Sequence, residues 1–396
     1  MLMFPRRTSL ALLNVLASPT RAMVSISGVT FALLLIFVQL GFRHAVANTA
    51  SIIFGKLKFD IILRSPEYLH LYEARTIDRR FLELAASHPE VETIDPFWIT
   101  LTKWQSPDGM SINAMAMMAM PPGRQLFDVS ELDAKLPLLD NPHAVLIDRA
   151  TQKDFGPKFG LKFGDDDIGA KAELGQRQVT IVGHVLIGTG LATNGALMIS
   201  DVGLGMRSPI DVSRQASMGL IRVKPGVDVD QAADKIRQWL VQQDEHALEK
   251  VIVMTRDEMI AWEHHRWLNE TPIGIIFQVG VALAFLVGAA IVYMVLAQDV
   301  SNRLPEYATL KAMGYSQTYL AGVVLQQAWL LSIVGWIFSV ILSDILYRIT
   351  AVMAGIPIQS TAIRIAGVAV MSVFICTVSG LLALRKLWKA EPASLF

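Results

Sequence analysis

The chain has 396 residues, 35 acidic and 35 basic side chains and 53% apolar residues; without net charge or a basic run interleaved with aromatics, it offers no platform for nucleic acid. Its single cysteine, Cys376, lies inside an apolar run, so neither a disulfide framework nor a Cys-based metal site forms within one chain. The mean hydropathy of +0.43 averages two populations, because residues 22–42, 273–297, 320–343 and 365–384 are almost free of charge.

In chain order, residues 1–21 read as a short amphipathic lead-in, with Leu10, Leu13 and Leu16 at helical spacing before Ser18-Pro19-Thr20. Residues 22–42 form the first expected crossing. Arg6, Arg7 and Ala45-Val46-Ala47 imitate a cleavable signal peptide, but the apolar stretch of about 20 residues exceeds the roughly 7–15 of a signal core, so it is expected to be retained. Val46, Ile53 and Leu57 then extend the helix as a stalk.

Residues 43–272 are expected to form one extracytoplasmic domain. An α/β part and stalk take residues 43–104 and 218–271: strand 58–65, a helix carrying Ile77, Phe81 and Leu84, and strand 91–104. The same order recurs as strand 220–224, a helix carrying Val229, Ala233, Ile236 and Leu240, and strand 251–254. Between these two βαβ-like units, residues 105–217 read as a β-rich insert with strands at 110–120, 144–147, 178–187 and 196–200. A helix over 256–270 runs into the second crossing, where Pro272 is expected to kink it.

The crossings at 273–297, 320–343 and 365–384 carry small residues four apart: Gly280, Ala284, Gly288; Gly335, Ser339, Ser343; Ser372, Cys376, Gly380. In lipid, where apolar burial does not drive helices together, such stripes let backbones approach. Gln278, Gln326 and Gln327 are expected to make interhelical hydrogen bonds, and a short loop, 344–364, joins the last two crossings. Arg6, Arg7 and Arg21 before the first crossing, Arg303 and Lys311 after the second, and Arg385, Lys386 and Lys389 in the tail 385–396 put both termini in the cytoplasm.

The polar island 298–319 is therefore a cytoplasmic joint. Pro305 suits a first helical turn because its missing N–H has no partner there, Glu306 sits at the positive end, and Gly314 supplies a left-handed stop. A helix of barely two turns results, with Tyr307, Leu310 and Met313 expected on one docking face and Ala308 and Ala312 opposite.

The sequence contains no phosphate loop, no nucleophile elbow and no HExxH motif. His264-His265 beside Glu263 point about 100° apart on a helix and do not share an ion. Met115, Met117, Met118 and Met120 have the softness for Cu(I), yet alternating Met on a strand is usually packing. The run 165–167 lacks EF-hand spacing and reads as a solvated loop. Of the charges near the membrane, Asp344 and Arg364 lie at segment ends, which disfavours a midplane ion relay.

The motifs NRLPEYATLKAMGY (302–315), TPIGIIF (271–277), FVQLGFR (37–43) and the tail 385–396 resemble the FtsX-like permeases of MacB-type ABC transporters, and within them the DevC permeases of cyanobacterial glycolipid exporters. The broader family tends to carry a basic residue and an isoleucine around Glu306, where this chain has Pro305 and Tyr307, which favours the DevC branch. The resemblance implies four transmembrane helices with the periplasmic domain between the first two, in the bacterial inner membrane, and a homodimer. It implies a separate cytoplasmic ATPase holding ATP and Mg, with this chain binding no cofactor and catalysing nothing. Coupling to that ATPase would run through Pro305, Glu306, Tyr307, Leu310, Lys311, Met313 and Gly314, and the periplasmic domain would meet a membrane-fusion adaptor and a TolC-like outer-membrane channel for a lipid or glycolipid cargo. Two alternatives stay open: a lipoprotein-releasing or signal-transmitting FtsX-type permease, and an autonomous membrane enzyme or receptor.

Overall fold

The computed structural model describes residues 19–158, 160–191, 193–354 and 358–389; most of the expected lead-in and residues 390–396 of the tail lie outside them. In chain order come α1 (Pro19–Lys56), β1 (Ile61–Arg64), β2 (Ile77–Asp78), α2 (Arg80–Ala86), β3 (Val91–Gln105), β4 (Ile112–Met120), β5 (Ala144–Asp148), β6 (Lys171–Leu174), β7 (Arg177–Val185) and β8 (Ala196–Ser200). β9 (Gln215–Ala216), β10 (Met218–Val223), α3 (Val229–Gln243), β11 (Ile252–Thr255) and α4 (Arg256–His265) complete the domain. Then follow α5 (Pro272–Asn302), α6 (Leu304–Ala312), α7 (Gln317–Ala354) and α8 (Ala362–Lys389). The chain divides into two units, Val46–Glu270 and the remainder.

The first unit is the expected α/β domain. β1-α2-β3 and β10-α3-β11 interleave into an antiparallel sheet of order β11-β1-β10-β3. β1 is buried on both faces: Ile61 and Leu63 join the core of Phe81, Leu82, Ile236 and Leu240, while Ile62 joins that of Phe54, Phe97 and Met259. Arg237 of α3 donates to the Val253 carbonyl at 3.1 and 2.9 Å, which occupies an acceptor on edge strand β11 that another chain's strand would otherwise pair with.

β3 serves two assemblies. Its first half pairs with β10, whereas residues from Trp98 on pair with β4. The pairs β4–β8, β8–β5, β5–β7 and β7–β6 continue the ring, and β6 returns to β3 at Trp104 and Gln105. The insert thus closes into a six-stranded barrel that leaves few open edges. Strand alternation sends Met115 and Met117 into one core and Met118 and Met120 into the other, so the four sulfurs lie on opposite faces and do not converge on one ion.

In the second unit α1, α5, α7 and α8 are long and apolar enough to cross a bilayer. The small stripes are spent on packing inside the chain. A Cβ at Gly280 would come within 2.6 Å of Gln39, and one at Gly335 within 2.7 Å of Val29, so both backbones lie against α1. Gly288 also faces α1, near Ala32, while Gly380 faces Leu325. Ala284 and Cys376 are buried in the same core. The Ser372 and Ser332 hydroxyls meet at 2.6 Å, and the buried Ser339 and Ser343 donate to carbonyls of their own helix, Trp336 and Val340.

Two expected boundaries move. Pro272 opens α5 instead of kinking a continuous helix: α4 gives way to a π turn at Arg266–Glu270, and Thr271 caps the new helix by accepting the Gly274 N–H at 3.2 Å. The third apolar helix continues past 343 to Ala354. Asp344 and Arg348, one turn apart on it, pair at 2.8 Å, so charge at the end of the apolar run does not end the helix.

Candidate coupling site

Between α5 and α7 the backbone is set by local chemistry. Arg303 leaves the helical region (φ −104°, ψ 7°) and ends α5, its N–H shared between the Asp299 and Val300 carbonyls at 3.2 Å each. Pro305 sits in the first turn of α6. At the far end Gly314 takes φ +92°, with the Tyr315 N–H reaching the Leu310 carbonyl at 3.1 Å, a left-handed helix stop. Among the described residues no atom lies within 4 Å of a Cβ built on Gly314, so the dihedral angle, not crowding, asks for glycine there.

The expected docking face divides. Tyr307 is 1% exposed and packs in the core of the membrane helices with Leu320, Val324 and Leu384. Leu310 and Lys311 are half-buried, and Met313 is 64% exposed. The reason is angular: Tyr307 and Met313, six residues apart at about 100° per residue, point about 120° from one another. Ala308, expected opposite the docking face, is buried, while Ala312, expected beside it, is exposed. What α6 and its stop present outward is Pro305, Glu306, Thr309, Ala312, Met313 and Gly314, followed by Tyr315 and Tyr319, whose ring centroids are 5.1 Å apart.

Beneath this surface lies a polar cluster that sequence reasoning missed. Asp299, Arg303 and Gln327 are each less than a tenth exposed. Arg303 lies 3.5 Å from both Asp299 and Glu306, and Gln327 of α7 donates to Asp299, so one network ties α5, α6 and α7. Gln327 thereby makes the interhelical bond expected of it. Asp299 and Arg303 fall in a polar stretch of the sequence, where charge is unremarkable; only their burial distinguishes them. Among the described residues the Tyr307 hydroxyl has no hydrogen-bond partner, and burial, with Asp299 nearby, pushes its pKa up to about 12, so it stays neutral. Tyr307→Phe is expected to unfold within about 0.5 kcal/mol of the parent, or slightly above it, because no bond is lost; a loss above about 1 kcal/mol in thermal unfolding would contradict this.

A second missed cluster sits in the domain at the end of α4. Glu263 is fully buried and accepts the Tyr68 hydroxyl, while the Arg64 guanidinium stacks 4.5 Å from the Trp262 ring and 5.1 Å from that of Tyr68. Burial pushes the Glu263 carboxyl up from 4.5 to about 7, against the opposing pull of hydrogen bonds from Tyr68 and Trp267 and the charge of Arg64. A carboxyl raised on folding favours the protonated native state, so its stabilisation is complete below pH 4.5 and is lost as pH rises through 7. The change is on the order of 3 kcal/mol from pH 4.5 to above 7. Thermal unfolding of the domain is expected at higher temperature at pH 5.5 than at pH 8, and Glu263→Gln should flatten that difference. His264 and His265 diverge as expected, the first 2.8 Å from Ser51 Oγ and the second 2.9 Å from the Asn269 amide.

Residues 279–392 match the family model for the C-terminal part of FtsX-like permeases. The matched stretch lies within the membrane half. This FtsX-like region takes in α5 from residue 279 on, the whole of α6 and α7, and α8. No curated protein matches the chain. Among solved structures, the periplasmic region of MacB from Actinobacillus actinomycetemcomitans is 11% identical with a TM-score of 0.36, covering 52% of this chain and 94% of that one. The extracellular domain of the noncanonic ABC-type transporter YknZ from Gram-positive bacteria is 11% identical with a TM-score of 0.34, covering 50% and 100%. A domain of a putative permease protein from Porphyromonas gingivalis is 13% identical with a TM-score of 0.32, covering 50% and 86%.

Proposed function

We propose that this chain is the membrane subunit of an ABC exporter of the DevC type, which passes the ATP-driven motion of a separate cytoplasmic ATPase to its large domain. The observation that carries the reading is α6: a nine-residue helix in the FtsX-like domain whose inner side is anchored by Tyr307 and the Asp299–Arg303–Gln327 network and whose outer side is open. A helix held this way moves as one piece with α5 and α7, so a push on Met313 or Tyr319 is delivered to the membrane helices. ATP and Mg belong to the partner; this chain works as a dimer in the inner membrane with both termini cytoplasmic. Its domain engages a periplasmic adaptor and an outer-membrane channel, and the cargo is a lipid or glycolipid taken up outside the cytoplasm. Gentle detergent purification followed by mass spectrometry of co-purifying chains tests this. An ATPase with an adaptor is the expected result; a lipoprotein carrier or cell-wall hydrolase without an adaptor favours the signal-transmitting alternative, and activity of the chain alone favours the enzyme or receptor.

A further inference from the structure

A cavity of about 480 Å³ opens between the first turns of α1 and the last turns of α5. Its walls are graded. Arg21, Gln298, Asp299 and Asn302 form a charged and amide end, while Val24 and Met294, 70% and 62% exposed, form an apolar end. Arg21 is exposed and has no carboxylate partner among the described residues. Asp299 is the opposite case, a buried carboxylate that meets Arg303 and Gln327 and still lines the cavity. One unpaired cation and one carboxylate at the polar end, above apolar walls in a chain that crosses a membrane, match an amphiphile whose head carries both signs.

We propose that this cavity holds one phospholipid with a primary-ammonium headgroup, its phosphate on Arg21, its ammonium on the remaining acceptor capacity of Asp299, and the start of its acyl chains along Val24 and Met294. The size is appropriate, since small-molecule sites run about 300–1,000 Å³. Charge-assisted bonds from a guanidinium to phosphate and from an ammonium to a carboxylate are the stronger hydrogen bonds of their kind. A choline head presents no N–H donor to Asp299, and a glycerol head presents no cation, so the carboxylate selects the amine. Because Asp299 also anchors Arg303, the bound head touches the network that holds α6. The inference needs only that the chain is membrane-embedded, and it stands whether or not an ATPase is the partner.

The test is native mass spectrometry of the full chain, purified in mild detergent and equilibrated with an equimolar mixture of phosphatidylethanolamine, phosphatidylcholine and phosphatidylglycerol. One phosphatidylethanolamine per chain is expected to be retained at least tenfold over the other two. Arg21→Gln should lower retention of all three phospholipids about tenfold. Asp299→Asn, which keeps an acceptor for Gln327, should bring the ethanolamine-to-choline ratio near one. Preference for phosphatidylglycerol, equal retention by Arg21→Gln, or an unchanged ratio in Asp299→Asn would overturn the assignment. Free phosphoethanolamine displacing the lipid at equal concentration would overturn the lipid as the source. Arg21→Gln should show the parent's thermal unfolding, whereas Asp299→Asn, which leaves Arg303 with Glu306 alone, should unfold earlier; its readout is therefore the ethanolamine-to-choline ratio on the folded, monodisperse fraction, which a loss of stability alone leaves at the parent's value.

Discussion

Met313→Asp combined with Tyr319→Asp is expected to remove the co-purifying ATPase, lowering its recovery at least tenfold while the permease itself stays folded. A tenfold loss corresponds to about 1.4 kcal/mol, modest for two apolar contacts at the centre of an interface. Folding should be spared because the two side chains are 64% and 45% exposed, and exposed substitutions of this kind are usually within about 0.5 kcal/mol of neutral. Tyr307→Asp makes a poor substitute for this test: it places a carboxylate in the apolar core around Val324 and Leu384, and the resulting misfolding would imitate uncoupling. Unchanged ATPase recovery in a folded Met313→Asp, Tyr319→Asp protein would sink the role assigned to α6.

Arg303→Met is expected to be the most damaging single change in the membrane half. It leaves Asp299, 9% exposed, without its cationic partner, and breaking a buried ion pair from one side costs about 3–5 kcal/mol. The loss should appear as a lowered unfolding temperature and aggregated protein in size-exclusion chromatography. Adding Asp299→Asn should restore most of it, since the asparagine is neutral and still accepts from Gln327, the bond made by the native carboxylate. If the double variant is as unstable as the single one, the burden lies in lost packing of the arginine stem and not in the orphaned charge.

These two experiments also separate what α6 shows in the sequence from what it hides. Its ends are legible because Pro305 and Gly314 act through their own backbone chemistry. Its inward side is not: Tyr307 and Leu310 on the helix and Met313 at its C-terminal cap are all apolar, and which of them turns inward depends on where α5 and α7 stand. Glu263 and Arg64 were hidden for a related reason, since a charged residue on a strand or helix looks solvated until tertiary packing closes around it.

The sequence by itself determined the four membrane spans, through apolar runs long enough for hydrocarbon, and the α/β character of the domain, through β-branched strands alternating with helical periodicity. Turn and cap residues placed most element boundaries, though not the restart at Pro272 or the length of α7. Only the tertiary structure decided that β3 is divided between a sheet and a barrel, because the closing strand β6, Lys-Ala-Glu-Leu, has little strand preference and becomes one by pairing with β3 and β7. It also decided that the small stripes of the later helices largely meet partners inside the chain. Gly28 and Gly41 of α1, whose added Cβ atoms would stand 2.8 Å from Val295 and 2.5 Å from Tyr347, belong to that packing as well. Spacing shows that a helix can be approached closely; the approaching helix is known only once the fold has brought it there.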